Sequence, residues 1–301
     1  MAVYVTGANG FLGRALCSAL LSKGQAVVRI DPSFTSNENA AKCWTRACKI
    51  EDLDVASLPE PLAIYHLACT TADPRGYQRV PVETLVGCVT SMVAVCEFAL
   101  RYNARVLLAS SSEVYGETQV IPTPESYTGN IDNASIRACY DNGKRCMETL
   151  MADYHRQRGL NGCVARIFNT YGPGMNDTRV VASFVRRALS DMPLLIFGGQ
   201  QTRSFCYVDD MVDALMRLMQ SSLSPIRPVN LGGNEEVTVQ QLAHVLGKIL
   251  GRELPAIFSG REVRDPSRRC PDTTLAKCEL GWQPKISLED GLRRVVAKES
   301  H

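Results

Sequence analysis

The stretch Val3-Tyr4-Val5-Thr6-Gly7-Ala8-Asn9-Gly10-Phe11-Leu12-Gly13 decides how the rest of the chain is read. Val3 to Thr6 is a short apolar, β-branched run of the kind that forms a strand, and Gly7 breaks it. From Leu12 to Lys23 apolar residues recur at helical spacing, and Gly24 closes the pattern. A strand entering a helix through Gly-x-x-Gly-x-x-Gly gives each glycine its own task. Gly7 permits the tight turn, Gly10 lets the backbone approach a pyrophosphate, and Gly13 lets helix and strand pack closely. The helix N-terminus offers unpaired N–H groups and the positive end of its dipole to that anion, so Asn9, Phe11 and Leu12 join the glycines as a predicted cradle.

A glycine trio also occurs in ordinary turns, so its context must carry the inference. Asp31 lies 18 residues beyond Gly13, at the end of the next apolar run, Ala26–Asp31. An acid at that spacing binds the adenosine ribose hydroxyls and repels a 2′-phosphate, which favours NAD over NADP. Asp52 and Leu53 are expected to flank the adenine, with a plain surface loop nearly as good a reading.

Farther along, strand-like runs at Ala63–Ala68, Arg105–Ser110 and Cys163–Phe168 alternate with helix-length stretches at Glu83–Tyr102 and Tyr140–Arg158. That rhythm predicts the α/β class and a doubly wound parallel sheet, with its continuous apolar strands covered on both faces. After Tyr171 the elements shorten and are punctuated by Gly172-Pro173-Gly174, Gly198-Gly199 and Gly232-Gly233. The expected division is a dinucleotide-binding domain over 1–170 and a smaller C-terminal substrate-binding region over 171–301. Some segments, such as Val229–Leu231, are expected to return to the main sheet.

Composition narrows the partners. Lys and Arg total 33 against 31 Asp and Glu, and a net charge of +2 provides no broad field for nucleic acid or an anionic membrane. A hydrophobic fraction of 45% allows a large core. No basic leader is visible and no stretch reaches the roughly 20 apolar residues of a membrane span, so a cytoplasmic protein is expected. The twelve cysteines form no C-x-x-C pair, and Cys17, Cys69, Cys88, Cys96 and Cys163 sit in apolar runs, where they read as small buried hydrophobes. His66, His155, His244 and His301 lie far apart, which argues against a metal site.

Tyr140 and Lys144 are one helical turn apart, on one face. An ammonium beside a phenol stabilises the phenolate, so the tyrosine can take a hydroxyl proton while hydride leaves for a nicotinamide. This spacing is common by chance, and position carries the inference. The pair follows a strand whose C-terminal end delivers Ser110-Ser111-Ser112-Glu113, and ligands bind at that end of parallel strands.

Together, Gly7-x-x-Gly-x-x-Gly13, Ile64-Tyr65-His66-Leu67-Ala68, Ser110-Ser111-Ser112-Glu113-Val114-Tyr115-Gly116 and Tyr140-x-x-x-Lys144 resemble the extended short-chain dehydrogenases that modify nucleotide sugars. Ala165-Arg166-Ile167-Phe168-Asn169-Thr170-Tyr171-Gly172-Pro173, Gln201-Thr202-Arg203-Ser204-Phe205-Cys206-Tyr207-Val208 and Gly281-Trp282-Gln283-Pro284 extend the likeness over nearly the whole chain. Within that group the chain is most similar to the UDP-glucuronate decarboxylases, which make UDP-xylose. The resemblance implies a Rossmann sheet, bound NAD, a UDP-glucuronate substrate and a homodimer built on the helices over Glu83–Tyr102 and Tyr140–Arg158.

By the same resemblance, Ser111 and Tyr140 would bind the sugar 4-hydroxyl and Lys144 the nicotinamide ribose, while Leu67 and Ala68 would line the cofactor. Tyr77 would touch the hexuronate, with Arg75 and Arg79 adding positive charge nearby. Asn169, Arg179, Arg203, Tyr207 and Arg269 would hold the UDP or the sugar, and Arg269 would be the proton donor. A 4,6-dehydratase carries an Asp-Glu pair where this chain has Ser112 and Glu113, and a 4-epimerase lacks the carboxylate of Glu113. Decarboxylation is therefore the expected reaction, with Glu113 facing the substrate carboxylate and raising its ground-state energy. Epimerisation, dehydration, an oxidative decarboxylation that releases the 4-ketopentose, and a non-catalytic NAD-binding protein remain as alternatives. The loop Gly172–Arg179 is shorter than the family's and has Gly174 where an arginine is common.

Overall fold

The structure, a computed structural model, describes residues 1–69, 74–260 and 267–300, with the side chains of Pro74 and Arg75 left out. β1 (Ala2–Thr6) leads through the glycine turn into α1 (Phe11–Ser22) and β2 (Val27–Ile30). A hairpin of β3 (Glu38–Ala40) and β4 (Cys43–Arg46), which the apolar pattern did not announce, comes next. β5 (Pro61–His66), α2 (Pro74–Arg79), α3 (Pro81–Tyr102), β6 (Arg105–Ser111), α4 (Ala138–Arg158) and β7 (Gly162–Ile167) follow. Then come β8 (Thr170–Tyr171), α5 (Val180–Leu189), β9 (Leu194–Phe197), β10 (Thr202–Ser204), β11 (Cys206–Tyr207) and α6 (Val208–Gln220). The remaining elements are β12 (Val229–Leu231), β13 (Glu236–Thr238), α7 (Val239–Leu250), β14 (Ala256–Ser259), α8 (Thr274–Leu280) and α9 (Leu288–Glu299).

Eight strands form one sheet in the order β12-β7-β6-β5-β1-β2-β4-β3. β1 pairs in parallel with β2 on one side and β5 on the other, so the chain reverses its direction of travel across the sheet at β1. In a doubly wound sheet the crevice at such a reversal, beyond the carboxyl ends of the strands, is where ligands bind. β1 is buried along its whole length, as a strand covered on both faces requires. Its Tyr4 packs with Ile64, Met92, Val95, Val106, Met147 and Met151 in one apolar cluster that joins the sheet to α3 and α4.

The expectation that no stretch reaches membrane-span length is corrected by α3, which at 22 residues is long and apolar enough by length and composition. Its apolarity has a local cause: Cys88, Met92, Val95, Cys96 and Ala99 form a buried stripe at helical spacing. A Cβ built on Gly143 of α4 would lie 2.9 Å from the Cys88 Sγ of α3, so a glycine is what lets these two helices approach. Cys17, Cys88, Cys96 and Cys163 are buried and Cys69 is half-buried. Burial pushes the thiols of Cys17, Cys96 and Cys163 up to about 12, which leaves them as inert packing groups.

The chain divides into two compact units. The first comprises Met1–Gly116, Ile131–Arg166 and Val212–Val229. The second comprises Glu117–Asn130, Ile167–Met211 and Asn230–His301. In the second unit, β10 pairs with β13, β8 with β11 and β9 with β14. The carboxylate of buried Asp210 accepts from the Lys285 and Ile286 amides at 3.0 and 2.8 Å, and its carbonyl accepts from the Trp282 indole. These bonds pin the segment leading into α9.

Candidate active site

The glycine turn is shaped by close backbone approach. Gly7 has φ +69, and a Cβ there would meet the Ala68 amide nitrogen at 2.8 Å. On Gly13 a Cβ would lie 2.1 Å from the Gly7 carbonyl oxygen, a distance no side chain tolerates. Phe11 and Leu12 open α1, which has no side-chain cap and no acidic residue in its first turn. Its leading N–H groups are thus left for an anion. Leu67 and Ala68 close the other side: the Leu67 amide donates to the Thr6 carbonyl and the Ala68 amide to the Thr6 hydroxyl.

Asp31 stands at the end of β2 and is tied to the turn. Its Oδ2 accepts from the Asn9 amide at 3.1 Å, and its Oδ1 accepts from the Ser33 amide at 2.9 Å and hydroxyl at 2.6 Å. The bare cradle, the uncapped helix end and this carboxylate fit a dinucleotide: N–H groups for the pyrophosphate and an acid for the ribose. Asp52 is exposed at the end of a short 3₁₀ turn, and Leu53 is half-buried against the apolar cluster.

Tyr140 and Lys144 project from one face of α4 and are 8% and 3% exposed. The Lys144 Nζ donates to the Ala109 carbonyl at 2.8 Å and sits 5.9 Å from the centre of the Tyr140 ring. Tyr77, 2% exposed, stacks on Tyr140 with ring centres 5.4 Å apart and planes 18° apart. Ser111 ends β6, and its hydroxyl accepts from the Glu113 amide at 3.3 Å. Ser112 is buried beside it. This first unit brings Tyr77, Tyr140 and Lys144 together, with the Ser111–Glu113 turn on the strand to which Lys144 is bonded. The Arg75 side chain lies outside the described residues, and Arg79 is exposed.

Three features of this unit carry roles that the sequence did not assign. Arg137, at the N-cap of α4, makes a 2.6 Å ion pair with Glu113. Burial pulls the Arg137 pKa down, but the charge of Glu113, then those of Tyr77 and Asp141, outweigh it and hold the guanidinium above its usual range. The motif neighbour of Tyr140 was the available signal, since Arg137 stands three residues before it.

His66, 0% exposed at the end of β5, has its Nδ1 2.7 Å from the Thr6 hydroxyl and its Nε2 3.4 Å from the Ser91 hydroxyl. Burial first and the Lys144 charge second lower its pKa to about 3, so it is a neutral hydrogen-bonding post.

Beneath the Ser110–Tyr115 turn, Glu148 accepts from the Ser110 hydroxyl and from Arg166 through Nε at 3.1 and 3.3 Å and NH2 at 2.8 Å. Arg166 also donates to the Tyr115 phenol at 2.9 Å, with its guanidinium 4.9 Å from that ring. One ion pair thus clamps both ends of the turn.

The remaining expected residues belong to the second unit. The Asn169 carbonyl, just before β8, accepts from the Cys206 amide, and Tyr207 pairs with Tyr171 on that strand. Tyr207 is 4% exposed under the Arg294 guanidinium, and burial with the Asp209 charge raises its pKa. Arg203 lies on β10 and donates to the Thr202 carbonyl. Arg269 is buried on the adjoining segment, with its carbonyl accepting from the Ser204 amide and hydroxyl. Arg179 is exposed at the N-cap of α5. Arg203 and Arg269 therefore lie on paired segments.

Residues 3–232 match the model of the NAD dependent epimerase/dehydratase family. UDP-glucuronic acid decarboxylase 5 of Arabidopsis thaliana is 42% identical over 300 residues, covering 97% of this chain and 87% of that protein. The UDP-glucose 4-epimerase of Thermotoga maritima, solved with UDP-glucose, superposes with a TM-score of 0.90 at 28% identity, covering 99% of this chain and 98% of that one. The UDP-glucuronic acid 4-epimerase of Bacillus cereus, solved with UDP-glucuronic acid and NAD, gives 0.87 at 25% identity, covering 99% and 98%.

Proposed function

Since this chain belongs to the NAD dependent epimerase/dehydratase family, we propose that it decarboxylates UDP-glucuronate to UDP-xylose, with NAD cycling inside one turnover. The observation that supports this most is the pairing of Tyr140 and Lys144 beside a turn that reads Ser111-Ser112-Glu113, together with relatives that are UDP-glucuronic acid decarboxylases. Gly7, Asn9, Gly10, Phe11, Leu12, Gly13 and Asp31 would hold the dinucleotide, with Leu67, Ala68, Asp52 and Leu53 along its flank. Bound there, NAD supplies the acceptor for the C4 hydride and later returns it.

The chain's own groups manage protons and charge. The Lys144 ammonium stabilises the Tyr140 phenolate, which takes the 4-hydroxyl proton and is neutralised by it. The resulting C4 ketone is β to the C6 carboxylate, so the C5–C6 bond breaks with its electron pair moving into an enolate as carbon dioxide leaves. Ser111 and the reprotonated Tyr140 donate hydrogen bonds to the enolate oxygen. A proton then reaches C5, with Arg269 as the family-based candidate donor. Hydride returns to C4 while Tyr140 gives its proton back to the oxygen, so the balance is one proton consumed and one carbon dioxide lost.

Tyr77, Ser112, Asn169, Arg179, Arg203 and Tyr207 are assigned to the substrate on the same family likeness. The assembly we infer is a homodimer through α3 and α4, supported by exposed Val82 and Val86 on α3. The test is incubation of the purified protein with UDP-, dTDP- and GDP-sugars, with products identified by mass. Conversion of UDP-glucuronate to a species lighter by carbon dioxide supports the reading. Loss of water or an unchanged mass with inverted C4 supports a dehydratase or an epimerase instead.

A further inference from the structure

The substrate of the proposed reaction brings a second carboxylate towards Glu113, and two unbalanced carboxylates would repel each other. Arg137 changes that balance. Its side chain is only 18% exposed, and its NH2 group donates to Glu113 Oε2 at 2.6 Å. Among the described residues the guanidinium makes no other hydrogen bond, and none of its remaining N–H donors is sealed from solvent. A planar fork held at one edge by a carboxylate has further N–H groups with which to donate to a second carboxylate.

Position agrees. The Arg137 carbonyl accepts from the Tyr140 amide at 3.0 Å, so the two residues are one turn apart at the start of α4. Tyr140 is the group assigned to the sugar O4, and the C6 carboxylate hangs from C5, the next ring carbon. The carboxylate of a sugar with O4 at Tyr140 is thus one ring carbon from the reacting centre, and Arg137, paired with Glu113, is one helical turn from Tyr140. A neutral hexose would bring only a hydroxymethyl group there, which has no charge to pair with the cation.

We propose that Arg137 is a specificity-determining residue: Glu113 occupies one edge of its guanidinium, and the C6 carboxylate of a uronate takes the open donors. Arg137 thereby admits a uronate and rejects neutral hexoses, while keeping Glu113 in a fixed position against the reacting group. This rests on the decarboxylase reading for where the sugar lies.

The test is calorimetric titration of the NADH-loaded protein, in which the sugar cannot be oxidised, with UDP-glucuronate and with UDP-glucose. Wild type, Arg137→Gln and Arg137→Lys are compared, with melting temperature and NADH binding as checks on folding. Loss of a charge-assisted hydrogen bond should lower UDP-glucuronate affinity by about tenfold to hundredfold in Arg137→Gln, with UDP-glucose affinity unchanged. Arg137→Lys should recover part of the preference, and it carries the test alone should the glutamine variant not fold. An unaltered ratio of the two affinities in either folded variant, or a parallel fall for both sugars, overturns the proposal. Product mass from the wild type with NAD is read separately. Arg137-dependent uronate preference without decarboxylation would uphold the residue's role and defeat the reaction.

Discussion

Replacing His66 with glutamine should flatten the acid side of the stability profile. The imidazole is fully buried between the Thr6 and Ser91 hydroxyls, with the Lys144 ammonium in its field. In the unfolded chain it takes up a proton near its ordinary value of 6.5, whereas in the folded protein it does so only at about 3. Between those values the unfolded state binds more protons, so the unfolding free energy falls as pH falls, by about 1.4 kcal/mol per unit for one group. The neutral imidazole's contribution is thus fully present above pH 6.5 and is lost progressively below it. At pH 5 the loss amounts to about 2 kcal/mol.

Urea unfolding of the wild type and His66→Gln at pH 7.5 and pH 5 isolates this effect, because every other titrating group is common to both. The glutamine variant should start from a lower stability, since its amide replaces a ring in a closed site. Its decline between the two pH values should nonetheless be smaller than that of the wild type by about 2 kcal/mol. Parallel declines would mean that His66 titrates alike in both states and that its burial is not what keeps it neutral.

Gly13→Ala places a Cβ 2.1 Å from the Gly7 carbonyl and 2.8 Å from the Ala8 Cα, so the turn itself must move. A loss of about 1–3 kcal/mol in stability and abolished NADH binding by fluorescence titration are expected; retained binding would contradict the cradle. Arg166→Met leaves Glu148, 14% exposed, with a buried charge, and should cost about 3 kcal/mol in urea unfolding. Removing Glu148 as well (Arg166→Met with Glu148→Leu) should recover part of that, whereas strictly additive losses would show the two groups to be uncoupled.

What could be read beforehand was whatever lies close along the chain. The glycine turn is one contiguous segment, and Tyr140 with Lys144 needs only helical periodicity to share a face, so both were legible. The Arg137–Glu113, Arg166–Glu148 and His66–Thr6 pairs join residues on different elements, and a solitary arginine or histidine reads no differently from a surface one. β3 was missed because Glu38-Asn39-Ala40 is an exposed, polar edge strand held by pairing to β4 rather than by apolar pattern. α3 misled in the opposite sense: its apolar run looks ordinary in sequence but is long enough for a membrane, because one face lies in the core. The second-unit residues Arg203 and Arg269, far apart in the chain, are related only through pairing of β10 with the 267–269 segment.

The most direct test of the central claim is proton NMR of the product formed from UDP-glucuronate and NAD in deuterium oxide. Hydride that leaves and returns within one site, around loss of carbon dioxide, requires UDP-xylose that keeps its C4 hydrogen and gains a single deuterium at C5. A product that retains C6, or NADH that accumulates in step with a 4-ketopentose, would contradict it.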